Sequence, residues 1–152
     1  MALGDINSAA QVHRLAFVRQ KLSAEWLTTT LNAYPRFLCY VAEVERRIVG
    51  YILWAQKSGF RDQVVLELDQ IAVLPARHGE GIGRALIDRS LPLVKAALAQ
   101  QGLTLKHIIV NTRADNHAQK LYSDALGAEV VATISDLYSA DEVFMVARNS
   151  RL

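Results

Sequence analysis

The stretch RHGEGIGRAL, Arg77 to Leu86, separates two segments of different periodicity. QVVLELDQIAVLP before it reads as a long strand, and ALIDRSLPLVKAAL after it has the apolar spacing of a helix. Three of the chain's eight glycines, Gly79, Gly81 and Gly83, fall here. Glycines between a strand and a helix leave backbone N–H groups free at the positive end of the helix dipole, which favours an anion. We therefore interpret residues 77–84, the glycine loop, as an anion-binding loop.

Two common phosphate-binding loops do not fit this segment. A P-loop requires Gly-Lys-Ser/Thr, whereas Gly83 is followed by Arg84 and Ala85. A dinucleotide loop requires GxGxxG in an opening βαβ unit, but the third residue after Gly81 is Arg84 and the segment lies mid-chain. A plain tight turn is the non-binding alternative, although one glycine would suffice for it.

Length and composition indicate one globular domain over residues 1–152, with 51% hydrophobic and 21% charged residues. The net charge of +2 and the absence of a Lys/Arg block argue against a nucleic-acid partner. No apolar run is long enough to cross a membrane, and the N-terminus lacks the features of a signal peptide. We expect a cytoplasmic protein without membrane association.

Cysteine and histidine usage narrows the chemistry. The single cysteine, Cys39, rules out an internal disulfide and lies in an apolar run typical of a buried structural thiol. His13 lies on the apolar face of the first helix and is expected to be a satisfied core or interface histidine, while His107 and His117 are expected at the surface. No Cys/His cluster predicts a metal site.

The order of elements predicts an α/β (α+β) fold with a mixed sheet and helices on both faces. Helix and strand patterns follow one another along the chain: a helix over Asp5 to Lys21, a helix N-capped by Ser23 and reaching about Ala33, the hairpin FLCYVAEV and IVGYILWAQ, the long strand, a helix to about Gln101 that contains Pro92, the strand LKHIIVNT, a helix capped by Asp115 and ended by Gly127, and the strands AEVVATIS and EVFMVAR.

The glycine loop and its surroundings resemble the GNAT superfamily of N-acetyltransferases, whose signature Arg/Gln-x-x-Gly-x-Gly/Ala follows a strand that ends V-x-P. Here VLP precedes His78-Gly79-Glu80-Gly81-Ile82-Gly83. The hairpin AEVERRIVGYILW is similar to that family's second and third strands. The segment IIVNTRADNHAQKLYSDALGAEVV is similar to its fifth strand, fourth helix and sixth strand, so that the resemblance covers about residues 38 to 148.

This resemblance implies a single-domain GNAT-like fold that moves an acetyl group from acetyl-CoA to a primary amine by direct attack on the thioester. The family's sheet splays between its fourth and fifth strands, and the pantetheine arm lies in that cleft beside an incomplete strand edge. By similarity the acetyl-CoA-binding residues are Ile71, Ala72, Val73, Arg77, His78, Gly79, Gly81, Ile82, Gly83, Arg84, Ala85, Asn111 and Asn116.

The chain departs from the family pattern at four places. His78 occupies the signature's Arg/Gln position, and Ala128 replaces a common aromatic residue. Only Met1 to Gly4 precede the first helix, so the family's first edge strand is either missing or very short. The tyrosine that often protonates the CoA thiolate is one residue early, at Tyr122, and Ser123 fills its usual position.

Glu67, Asp69 and Tyr122 are the candidate catalytic residues. An alkylamine with a pKa of about 10 must lose a proton before it attacks, and a carboxylate commonly removes that proton. Glu67 and Asp69 are two residues apart and share one face of the long strand, as base or amine anchor. The alternative is that these acids are solvated or ion-paired. Tyr122 is either the acid or part of the core, because it shares a helical face with Ala118 and Leu121.

Other interpretations remain open at this level. The chain could be an acyl-CoA-binding module that has lost catalysis, a nucleotide-binding protein, or a transferase of longer acyl groups. The acceptor could be a small-molecule amine or a peptide amine, and carboxylates near the thioester favour a cationic one. Many relatives form dimers, and a missing first strand would expose an edge that a homodimer could cover.

Overall fold

The structure is a computed structural model that describes residues 1–148. Its helices are α1 (Ile6–Ala16), α2 (Ser23–Asn32), α3 (Ile82–Gln100) and α4 (Ala118–Leu126), with short 3-10 turns at Leu3–Asp5 and Pro75–Arg77. Its strands are β1 (Phe37–Val44), β2 (Arg47–Gln56), β3 (Gln63–Val73), β4 (Thr104–Arg113), β5 (Glu129–Ile134) and β6 (Glu142–Arg148).

The strands form one six-stranded sheet in the order β1-β2-β3-β4-β6-β5. β3 and β4 pair in parallel, with α3 between them in the chain, whereas β4/β6 and β5/β6 pair antiparallel. Glu45 and Arg46, which join β1 to β2, have left-handed φ values of 49° and 64°, as a two-residue hairpin turn requires. The mixed α/β fold expected from the sequence is confirmed.

The first strand of the described chain is β1, which lies at one edge of the sheet. Within residues 1–148 no strand precedes α1, in agreement with the expectation that the family's first edge strand is missing or very short. The amino group of Met1 instead donates a hydrogen bond of 2.8 Å to the carbonyl of Cys39 on β1.

The chain divides into two compact units, and the first comprises residues 1–54 and 70–92. Its core joins α1 and α2 to β2 and the end of β3 through eight buried residues: Ile6, Ala9, Ala10, Val12, Leu27, Tyr51, Leu53 and Ala72. The glycine loop belongs to this unit.

The second unit comprises residues 55–69 and the chain from Leu93 onward. The β3–β4 register runs from Gln63↔Thr104 to Glu67↔Ile109, and β4 then pairs with β6. One face of these strands is fully buried, as at Leu66, Ile108 and Met145, and α4 contributes buried Leu126. Gly127 ends α4 with a left-handed φ of 65°, as expected from the sequence.

Three predictions at helix ends are wrong, and two of them fail because a polar side chain has another partner. α1 ends at Ala16 rather than Lys21, since Phe17 leaves helical geometry. Leu22, with a φ of 54°, holds the N-cap position of α2, because the hydroxyl of Ser23 bonds to a histidine instead. Asp115 pairs with Arg113, so it does not cap α4.

Candidate acyl-CoA and amine site

The glycine loop leads from β3 into α3 through two residues with left-handed backbone. Gly79 has a φ of 83° and Gly81 a φ of 77°. A Cβ built at either glycine would meet no atom within 4 Å. Glycine is therefore required for the backbone conformation, and the space where side chains would stand is open to a ligand.

The same loop presents unpaired backbone donors. Among residues 1–148, the N–H groups of Gly79, Gly81 and Gly83 donate to no protein acceptor. The N–H of Ala85 instead donates to the carbonyl of Gly81 at 2.9 Å, as part of the start of α3. Free donors at the start of the 19-residue α3 suit a phosphate group.

Both arginines of the glycine loop are held by carboxylates. The Nε of Arg77 lies 2.7 and 2.8 Å from the two carboxylate oxygens of Glu80. The Nε of Arg84 lies 2.7 Å from an oxygen of Asp88, one helical turn further along α3. Binding phosphate through either guanidinium would therefore compete with an existing ion pair.

His78, the residue in the signature's Arg/Gln position, turns back toward β3. Its Nε2 donates to the carbonyl of Val73 at 3.0 Å. The register of β3 with β4 includes no pair beyond Glu67 within the described chain, although β3 continues to Val73. Ile71, Ala72 and Val73 thus have no β4 partner and retain an edge that an amide-bearing ligand could complete.

Gly50 on β2 is a residue that sequence reasoning missed. A Cβ at this position would lie 2.8 Å from the carbonyl oxygen of Ala72 and 3.2 Å from Cδ1 of Leu86. The glycine therefore allows the first turn of α3 to approach β2 and β3 closely. A glycine inside an otherwise apolar strand is the sequence signal that would have indicated such a contact.

The prediction that Glu67 and Asp69 share one face of β3 is confirmed. Val64, Leu66 and Leu68 are buried, whereas Glu67 and Asp69, on the other face, are half-buried. Lys57 lies 2.6 Å from Oε2 of Glu67, whose side chain is only 16% exposed. Glu67 is therefore ion-paired, which was the alternative to a catalytic role.

The two candidate asparagines are in different situations. Asn116 lies just before α4 with both side-chain polar atoms paired: its Oδ1 accepts from the N–H of Ala118 at 2.9 Å, and its Nδ2 donates to Thr112 at 2.8 Å. Asn111 on β4 has a buried Oδ1 with no partner in the described chain. Because buried acceptors are rarely left unpaired, Asn111 is the better candidate for a ligand contact.

Tyr122 packs in α4 with 5% of its surface exposed. Burial raises the pKa of its phenol to about 12. A phenol that binds its proton this tightly is a weak acid toward a thiolate, whose thiol has a pKa of about 8.5.

A buried polar network in the first unit centres on His13, which is fully buried as the sequence predicted. Nε2 of His13 lies 2.9 Å from Oε1 of Gln20, and Nδ1 lies 2.9 Å from the hydroxyl of Ser23. Since an amide oxygen only accepts, Nε2 carries the proton and Nδ1 accepts from Ser23. Burial lowers the pKa of His13, which favours this neutral form.

The network reaches β3 at Gln70, a second residue that sequence reasoning missed. The hydroxyl of Tyr51 donates to Oε1 of Gln70 at 2.6 Å, and Nε2 of Gln70 donates to Oε1 of Gln20 at 3.4 Å. The segment between α1 and α2 is thereby tied to the part of β3 that precedes Ile71.

Residues 1–148 contain neither a candidate metal site nor a helix suited to spanning a membrane. They contain no group of three or more His, Cys, Asp or Glu side chains placed to hold a metal ion. None of their helices combines the length and the apolar character that crossing a membrane requires.

His107 is half-buried rather than at the surface as expected, and its Nδ1 has no partner in this part of the chain.

The family model described as an acetyltransferase (GNAT) domain matches residues 35–125, which is more than half of the chain. The protein therefore belongs to the GNAT acetyltransferase family and is an acyltransferase, as the resemblance indicated. The family's fold supports acyl transfer from acetyl-CoA. No curated protein sequence matches the chain.

Solved structures share this fold over nearly the whole chain. The ribosomal-protein-S18-alanine N-acetyltransferase from Escherichia coli is similar with a TM-score of 0.76 and 17% identity, covering 97% of this chain and 90% of its own. An aminoglycoside 6'-N-acetyltransferase complexed with coenzyme A has a TM-score of 0.74 and 16% identity, with coverages of 94% and 89%. Ard1 from Thermoplasma volcanium has a TM-score of 0.72 and 21% identity, with coverages of 96% and 92%.

Proposed function

We propose that residues 1–152 act as a single N-acetyltransferase domain that transfers the acetyl group of acetyl-CoA to a primary amine. One observation carries the proposal: at the start of α3 the glycine loop combines unpaired backbone N–H groups with open space beside Gly79 and Gly81. A pyrophosphate matches these donors in charge and size. Acetyl-CoA would supply the thioester, and the edge of β3 at Ile71 to Val73 would bind its amide-bearing arm.

Asp69 is our choice for the base. It lies two residues before Ile71 on β3, so it is nearer than Glu67 to the strand edge proposed for the amide-bearing arm of acetyl-CoA. In the reaction the amine nitrogen bonds to the carbonyl carbon, the C–S bond breaks, and the amine proton leaves to Asp69 directly or through water. Asp69 also contributes negative charge that favours a cationic acceptor, and Glu67, partly balanced by Lys57, contributes a smaller share.

The leaving thiolate takes its proton from solvent in this proposal, and Tyr122 contributes packing. Its raised pKa and burial support that role. Ser123, in the usual position of the acid, has an alcohol that is a still weaker acid than a phenol.

The acceptor is an amine of a small molecule or of a peptide. The names of similar structures include both kinds, a ribosomal-protein alanine and an aminoglycoside. Partly buried acids on β3 support a positively charged acceptor in either case.

A homodimer and a cytoplasmic location belong to the same proposal. The sheet has edges at β1 and β5, and all six residues of β5 are exposed, including Val130 and Ile134. An exposed aliphatic edge strand is suited to pairing with a second copy. Light scattering on the purified protein tests the homodimer, and a monomer at micromolar concentration would contradict it.

Calorimetric titration with acetyl-CoA tests the ligand, with ATP and NAD as controls. Binding of acetyl-CoA alone, at micromolar affinity, is expected. A folded protein that binds none of the three would remove the glycine-loop assignment. A protein that binds acetyl-CoA but acetylates no member of a broad amine panel would instead be the non-catalytic acyl-CoA-binding module, which the burial of Tyr122 also favours.

Kinetics of matched variants test the residue roles. Asp69→Asn is expected to lower kcat by about a hundredfold or more while acetyl-CoA still binds, because a positioned general base typically contributes about 10²–10⁴-fold. Glu67→Gln is expected to act mainly on the KM of the amine. Tyr122→Phe should leave kcat within about twofold, and a large loss at unchanged stability would restore Tyr122 as the acid.

A further inference from the structure

Glu80 is a carboxylate within the glycine loop, between the two glycines with left-handed backbone. Its side chain is 44% exposed, and both of its oxygens lie within hydrogen-bonding distance of Nε of Arg77. A negative charge here is unexpected for a loop that binds a negatively charged group. Arg77 and the positive end of the α3 dipole stabilise the negative charge of Glu80.

The carboxylate that contacts the guanidinium of Arg77 directly is that of Glu80, and Glu45 adds a more distant attraction that also raises the pKa of Arg77. Its partner Glu80 is only three residues away, so the pair forms locally without long-range packing. An exposed ion pair of this kind is weak and exchanges readily with solvent and with competing ligands. A phosphate binds a guanidinium through the same donors that Glu80 now uses.

We propose that Glu80 is an internal competitor of the ligand's phosphate for Arg77, so that Arg77 becomes a phosphate ligand only when this ion pair opens. The inference rests on the proposed function, since it concerns phosphates of acetyl-CoA. Glu80 lowers affinity because it occupies the guanidinium that the phosphate would otherwise bind. Arg77 thus contributes little to affinity while Glu80 is charged.

A double-mutant cycle tests the competition, with acetyl-CoA affinity measured by calorimetry. Glu80→Gln removes the charge at similar size and is expected to tighten binding by about fivefold at low salt, less at high salt. Arg77→Ala is expected to change affinity by less than about twofold in the wild type, but to weaken it by about tenfold in the Glu80→Gln background. The coupling between the two substitutions is the decisive quantity.

Asp124→Asn is the matched control. Asp124 pairs with Lys120 at 2.6 Å on α4 and is 50% exposed, so the substitution changes net charge equally at an exposed ion pair elsewhere in the chain. It is expected to leave acetyl-CoA affinity unchanged. Tighter binding in this variant as well would attribute the gain to overall charge and overturn the proposal.

Repeating the cycle with 3′-dephospho-CoA distinguishes the two phosphate sources. Coupling that persists assigns Arg77 to the pyrophosphate, and coupling that disappears assigns it to the 3′-phosphate; both support the competition. Additive effects with acetyl-CoA, or no tightening by Glu80→Gln, would overturn it. A wild-type protein that binds no acetyl-CoA would instead refute the proposed function.

Discussion

The His13 network and the glycine loop are both rich in polar groups, but they are satisfied in opposite ways. In the network, the two ring nitrogens of His13 have protein partners, Gln20 and Ser23, and the chain continues through Gln70 to Tyr51. In the glycine loop, Gly79, Gly81 and Gly83 offer N–H groups to no acceptor in the described chain. Satisfied polar groups stabilise the fold, whereas unpaired ones indicate where a ligand binds.

The largest expected effect comes from disrupting the unpaired N–H groups of the glycine loop. Gly81→Asp places a negative charge and a side chain where the phosphate would bind, and acetyl-CoA affinity should fall more than about a hundredfold. Calorimetry measures the loss. Gly59→Asp is the control, because Gly59 has a similar φ of 82° and equally open space but lies outside the loop. Equal losses in both variants would mean that backbone strain, not the phosphate site, is responsible.

The next largest effect comes from removing the central residue of the His13 network. His13→Ala leaves Ser23 without its buried partner and creates a cavity, which should lower the free energy of unfolding by about 2 kcal/mol. Urea denaturation measures this. Acetyl-CoA affinity of the folded fraction is expected to stay within about twofold. A variant that keeps its stability but loses acetyl-CoA would place His13 in the ligand site instead.

A smaller effect tests the direction of the hydrogen bonds. Gln20→Glu keeps an oxygen that accepts from both His13 and Gln70, so stability should change little. Gln70→Glu places a carboxylate oxygen against the acceptor Oε1 of Gln20 and should cost about 1 kcal/mol. Chemical denaturation compares the two variants, which carry the same change in charge. Equal destabilisation would show that the assigned amide orientations are wrong.

The smallest effect is a pH dependence of stability. Burial lowers the pKa of folded His13 below about 6.5, the value of an unfolded histidine. Between these two values the unfolded chain binds more protons, so this contribution is complete above pH 6.5 and is lost as the pH falls toward the folded pKa. Stability measured from pH 7 to pH 5 should therefore decrease, with a shallower slope in His13→Asn. Identical slopes would assign the dependence to other groups.

The sequence allowed the architecture and the glycine loop to be predicted because both depend on local patterns. The strand before the loop, the glycines and the apolar helix after it are contiguous, and alternation alone placed Glu67 and Asp69 on one face. These signals need no knowledge of distant partners.

The partners themselves were not predictable. Lys57 pairs with Glu67 across the loop between β2 and β3, and Gln20 meets Gln70 from fifty residues away. Ser23 and Asp115 were misassigned as caps because each side chain bonds elsewhere. Pairing of polar side chains depends on tertiary geometry, which no local pattern encodes.

Gly50 has a consequence for anyone who uses this scaffold to evolve new acceptors. A single methyl at this position would lie 2.8 Å from a backbone oxygen of β3 and 3.2 Å from Leu86 at the start of α3. Position 50 therefore sets how deeply that helix sits, without itself facing a substrate. A mutant library should keep this codon fixed, and natural variation here would report on the packing of α3 rather than on substrate choice.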